Sequence, residues 1–102
     1  MLRKDWMERL IEQLAETVRR AFGLAQAGDT TAALALFDDL YRSLGVGRDA
    51  LDRLDPTTLR TMLGERTRTM ALVLTAEADV LAAAGRQDEA KRRRTLAAQL
   101  VS

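Results

Sequence analysis

Two short stretches constrain this chain more than any other feature. "AGDTTAAL" at 27–34 and "AGRQDEAK" at 84–91 each follow a leucine- and alanine-rich run, and each carries an alanine five residues beyond its glycine. Superposing Gly28 on Gly85 brings Leu24 onto Leu81, Ala25 onto Ala82, Ala27 onto Ala84 and Ala33 onto Ala90. Glycine takes the left-handed backbone that ends a helix without Cβ strain. Each stretch therefore reads as a helix stop with a new helix start close behind it. Two helices joined by so short a turn must pack tightly beside it, and alanine at 33 and 90 lets their backbones approach. The repeat predicts two glycine-turn helical hairpins.

The rest of the chain fits helices around those turns. Over residues 3–27, Trp6, Leu10, Leu14, Val18, Phe22 and Ala25 recur three or four apart, and Met7, Ile11 and Ala21 widen the stripe. That is amphipathic helix periodicity. Asp29 stands where the next helix wants an N-cap acceptor, and residues 30–44 follow with Ala33, Leu36, Phe37, Leu40, Tyr41 and Leu44 on one face. Gly45 and Gly47 end that helix. Residues 48–54 suit one or two turns, and Asp55-Pro56 is a strong helix start with an acceptor at the cap and proline in the first turn. Gly64 predicts a break or bend before a helix over 66–84, whose apolar residues spread over more than one side. A last helix is expected over 87–101. The expected organisation is one all-α domain over 1–102: a hairpin at 3–44, a connector of short helices at 45–65 and a hairpin at 66–101.

Composition removes several functions. The 102 residues contain no cysteine and no histidine, so there is no thiolate nucleophile, and both the commonest metal ligand and the commonest general base are missing. The remaining acids do not combine into a site. Asp38 and Asp39 are adjacent and so point about 100° apart on a helix, which suits shared acid–base work poorly. Asp49, Asp52 and Asp55 lack the glycine and closely spaced oxygen ligands of a calcium loop. The reading is of a non-enzyme with no cofactor and no metal. The start, "MLRKDWMERL", is charged and lacks the apolar core of a secretory signal. The longest apolar stretch, "MALVLTA" at 70–76, is too short to cross a bilayer. The expectation is a cytoplasmic protein without a membrane role. Net charge is +1 and selects no class of partner; the near-exclusive use of arginine over lysine reads first as compositional bias.

With its glycine at the turn, an acidic residue just after it, alanine five residues on and Phe37 four beyond that, the first hairpin resembles the tetratricopeptide-type motif. The second copy has Arg94 where the first has Phe37, and the offset far exceeds the usual period of about 34 residues. Through "RKDWMERLIEQLAE", "SLGVGRDALDRLDPTTL" and "AEADVLAAAGRQDEA", the whole chain is also similar to a family of small bacterial helical proteins of unknown function. The resemblance implies a tetratricopeptide-like bundle and carries over no catalytic residues.

Two surfaces remain as candidates. The first helix is about 37 Å long and overhangs its shorter hairpin partner. The overhang carries Trp6, Met7, Leu10, Ile11 and Leu14, which point to a protein interface, first of all a homodimer with an unidentified protein partner as the wider class. The alternative is a nucleic-acid-associated accessory protein using Arg86, Lys91, Arg92, Arg93 and Arg94 on the last helix. Nucleic acid is disfavoured: four consecutive cations sweep round a helical turn, Asp88 and Glu89 sit beside them, and no aromatic is interleaved for base stacking. The expected reading of these cations is a solvated face, with Arg94 snorkelling or pairing with an acid such as Glu77 or Asp79. Small-ligand binding between the hairpins would rest on the fold alone.

Overall fold

The computed structural model describes the backbone of residues 2–102 and the side chains of Trp6 and of residues 8–102. It is all-α, with no strand among the described residues: α1 (Leu2–Gln26), α2 (Thr30–Ser43), α3 (Arg48–Arg53), α4 (Pro56–Leu63), a 3-10 turn (Gly64–Arg66), α5 (Thr67–Ala83) and α6 (Gln87–Val101). The expected break at Gly64 is real. This glycine caps α4 with φ +57°, and the 3-10 turn redirects the chain into α5.

The two stretches that opened the sequence form the same turn twice. At the first, the Gly28 N–H donates to Ala25 O (3.0 Å) and the Asp29 N–H to Leu24 O (2.9 Å). At the second, the Gly85 N–H donates to Ala82 O (3.0 Å) and the Arg86 N–H to Leu81 O (2.9 Å). These paired bonds are a Schellman cap. Both glycines are left-handed, at φ 88° and 82°, where an L side chain costs about 1–2 kcal/mol. Ala33 and Ala90, five residues on, are both fully buried. The copies differ in their caps. Asp29 accepts from the Ala32 N–H at 3.1 Å, whereas Arg86 holds nearly the same backbone conformation with no side-chain cap. Replacing Arg86 with an acceptor supplies the missing cap and removes a cation from a helix N-terminus. We expect Arg86→Asn to stabilise the fold by about 1 kcal/mol, read as a rise in the urea midpoint at unchanged slope.

α5 is the central element and packs against α1, α2 and α6, while α1 also packs on α2 and α4 on α6. α5 buries Met70, Val73, Leu74, Ala78, Val80 and Leu81, the two-sided apolar pattern of a sandwiched helix. Phe37, Leu40 and Tyr41 of α2, Leu44 at its C-cap, and Leu59 and Leu63 of α4 pack with Met70, Val73, Leu74 and Val80 in the main core at 1% exposure or less. Each such side chain contributes roughly 1.5–3 kcal/mol of transfer free energy.

Arginines tie the connector down. Arg66 donates to Leu44 O (2.7 Å) and to Met62 O (3.1 Å), so one guanidinium satisfies carbonyls at the ends of both α2 and α4. Arg60 reaches Gln99 O of α6 at 2.7 Å. The preference for arginine thus has structural uses: a planar fork can bridge several carbonyls where an ammonium offers a point charge.

Candidate functional site

The structure sorts the apolar residues of α1 into separate roles. Leu10 is only 4% exposed and belongs to the core, which corrects its assignment to an interface. Leu14 is half-buried against the same core. Trp6 and Ile11 are exposed, at 38% and 48%. They lie five residues apart and so point about 140° apart round the helix; one flat partner cannot cover both. The Met7 side chain lies outside the described residues.

Two apolar stripes emerge. Leu10, Leu14, Thr17, Ala21 and Leu24 face inward. One position on, Ile11 and Ala15 are exposed, and Val18, Phe22 and Ala25 are half-buried. Burial of this second stripe fades toward the N-terminus, and α2, one of the two helices packed on α1, has 14 residues against 25 in α1. At 1.5 Å per residue α2 ends about 16 Å short.

The cations of α6 do not form one row. Arg93 is 11% exposed and turns inward. Arg94 pairs with Asp79 at 3.0 Å in solvent, and Arg86 pairs with Glu89 at 2.7 Å. Of the five candidate cations, Lys91 and Arg92 are the two that are exposed and take part in none of these ion pairs.

Sequence reasoning missed where Arg93 goes. Glu77 of α5 is completely buried. It accepts from Tyr41 Oη (2.7 Å), from Arg48 Nη1 (3.1 Å) and Nη2 (2.5 Å), and it pairs with Arg93 Nε (3.0 Å). The two guanidiniums continue outward, Arg48 to Asp38 and Arg93 to Asp52 at 3.0 Å. The Arg48 guanidinium also lies 5.3 Å from the centre of the Tyr41 ring, within cation–π range. The order from core to solvent is carboxylate, paired guanidiniums, outer carboxylates. Every buried side-chain polar atom among the described residues has a partner. One signal for this network was present in the sequence. Glu77 falls on the stripe Met70, Val73, Leu74, Leu81, a carboxylate where helical spacing demands an apolar residue.

Burial, and then the adjacent Glu77 carboxylate, push the Tyr41 phenol well above its ordinary value. Burial opposes the charge on Arg48, but its hydrogen bonds to Glu77 and Asp38 and the charge of the Glu77 carboxylate together outweigh this and raise its pKa. Tyrosine gives a pH prediction. Tyr41 is the sole tyrosine, and in the unfolded chain it ionises near pH 10. Since the folded state holds the proton above that pH, its contribution to stability is intact below pH 10 and is lost as pH rises beyond it. We expect Tm to fall above about pH 10, with the phenolate absorbance appearing only as the chain unfolds. A phenolate signal in the folded protein near pH 10 would contradict the buried pair.

The network has four polar contacts on one carboxylate and is an internal tie. Above it lies a cleft of about 430 Å³ lined by Leu34, Arg48, Asp52, Arg86, Arg92 and Arg93 among others. A shallower apolar groove of about 580 Å³ runs between α5 and α6, with Leu72, Ala97, Ala98 and Val101 in its walls. Among the described residues no group of three or more acids is placed to hold a metal ion, and no helix is long and apolar enough to cross a membrane. No protein-family model, curated protein or solved structure matches this chain.

Proposed function

We propose that this chain is a non-catalytic protein–protein interaction module that pairs with a second copy of itself through the uncovered side of α1. The observation that carries the reading is Ile11, a large apolar side chain 48% exposed beside the exposed Ala15, at the end of a stripe that the chain's own helices cover only farther along. Exposed aliphatic side chains in a row favour association over solvation. A tetratricopeptide-like arrangement is the scaffold that fits this role. In its favour are the repeated glycine turn and the packing order, with α5 seated against both α1 and α2 and α6 laid on α5. The repeat distance of 57 residues and Arg94 in place of a second Phe37 mark a degenerate copy.

Leu10→Ala would damage the core, so the test uses Ile11→Arg. Association stabilises the folded state by mass action and makes Tm depend on concentration. We expect the wild-type Tm to rise with protein concentration and the Ile11→Arg Tm to stay level. A flat wild-type series would remove the proposal. A salt-sensitive oligonucleotide complex lost on Lys91→Gln with Arg92→Gln would instead favour the nucleic-acid alternative.

A further inference from the structure

We propose that the groove between α5 and α6 seats one amphipathic helix of a different protein, apolar along one face and acidic beside it; this surface is separate from the α1 contact above. The internal repeat explains why a helix fits. Shifting Leu14, Val18, Phe37, Leu40, Tyr41 and Leu44 by the offset of 57 gives Ala71, Thr75, Arg94, Ala97, Ala98 and Val101, and all six of these line the groove. In the first hairpin a helix already covers those positions. Phe37, Leu40, Tyr41 and Leu44 are fully buried, and α5 packs on both α1 and α2. In the second hairpin the equivalent surface is open, with Leu72 and Val101 53% and 56% exposed. Its floor is also lower. Leu14, Leu40 and Tyr41 of the first copy are alanines at 71, 97 and 98, so side chains of an incoming helix can drop between the two walls. A terminal repeat that meets only water carries a polar outer face. This one keeps Val101 and has Leu72 where the first copy has Ala15.

Charge selects the occupant. Arg68 and Arg94 line the groove and no carboxylate does. Arg94 pairs with Asp79 with both side chains about half exposed, a contact worth little and readily exchanged. Arg68 is exposed and takes part in no ion pair among the described residues. It lies beside Val101 at one end of the groove, and Arg94 stands two turns back along α6, about 10 Å away in axial rise. Carboxylates two turns apart on one helix match that span, with aliphatic side chains between them over Ala97 and Ala98. A second copy does not supply such a helix. By the same repeat, its α1 would sit on this groove as α5 sits on the first hairpin. Where α5 brings Met70, Val73 and Leu74 to the core, α1 has Gln13, Glu16 and Thr17, which offer Leu72 and Val101 no apolar cover.

The probe is a stapled synthetic helix with leucines three and four residues apart and glutamates two turns apart beside them, labelled for fluorescence anisotropy. It should bind saturably to the wild type and equally well to Ile11→Arg, which alters α1 alone. Leu72→Ser with Val101→Ser should weaken binding about tenfold or more. Arg68→Glu with Arg94→Glu should weaken it by a similar factor, and should bring in a second probe that carries lysines for the glutamates. That gain also shows the reversed variant to be folded. A wild type without saturable binding, equal binding of the acidic and basic probes, or binding indifferent to the Leu72 and Val101 changes overturns the proposal. Binding lost on Ile11→Arg overturns it as well, because the site then lies on α1.

Discussion

Glu77→Ala is expected to cost about 3–5 kcal/mol and to lower Tm on the order of 15–30 °C. The change leaves the Arg48 and Arg93 guanidiniums facing a buried gap and strips the Tyr41 hydroxyl of its acceptor. Removing one member of a buried ionic group is far costlier than the net worth of the intact group, because the surviving charges stay desolvated. For a domain whose total stability is about 5–15 kcal/mol, such a loss is a large fraction. The connector should respond first. α3 is secured largely by side chains, with Arg48 bound to Glu77 and to Asp38, Leu51 buried, and Asp52 paired to Arg93. Amide exchange of residues 45–55 should therefore accelerate beyond that of α5. The outer acids are a control. Asp38→Ala and Asp52→Ala remove partners that are 38% and 56% exposed, and each should cost about 1 kcal/mol or less. A Glu77→Ala protein within a few degrees of wild type would mean the carboxylate does not organise the core.

The second large effect contrasts the two halves of the repeat. Phe37 and Arg94 occupy equivalent positions 57 residues apart. Phe37 is fully buried, and truncating such an aromatic costs about 3–5 kcal/mol through lost transfer energy and the cavity left behind. Arg94 is 48% exposed on its side chain and pairs with an Asp79 that is 54% exposed, so Arg94→Ala should change stability by under about 1 kcal/mol. The ratio of the two effects, read from urea midpoints, measures how far the copies have diverged. Comparable losses at both positions would place Arg94 inside the bundle.

These contrasts show which parts of the molecule were legible in the sequence. Gly28, Gly85, Gly64 and the Asp55-Pro56 pair are local signals, because backbone conformation and capping depend on near neighbours. The helices accordingly begin and end where those residues stand. The fate of Glu77 was only half legible. Its misfit on an apolar stripe is visible, but its partners come from positions 41, 48 and 93, on three other helices. Only packing brings them together. "KRRR" at 91–94 looked like one basic feature, yet consecutive residues point about 100° apart, so Arg93 turns inward while its neighbours face solvent. The division of α1 was hidden for the same reason. Leu10 and Ile11 are adjacent members of one wide stripe, and which of them meets the core depends on where α5 and the short α2 lie.

Sedimentation equilibrium of the wild-type chain beside Ile11→Arg tests the central claim most directly. The account predicts that the wild type approaches twice its 11.3 kDa chain mass as concentration rises, while Ile11→Arg stays at the chain mass and keeps its full helical signal. A wild-type protein that remains at the chain mass throughout, or an Ile11→Arg variant that dimerises as well as the wild type, would contradict it.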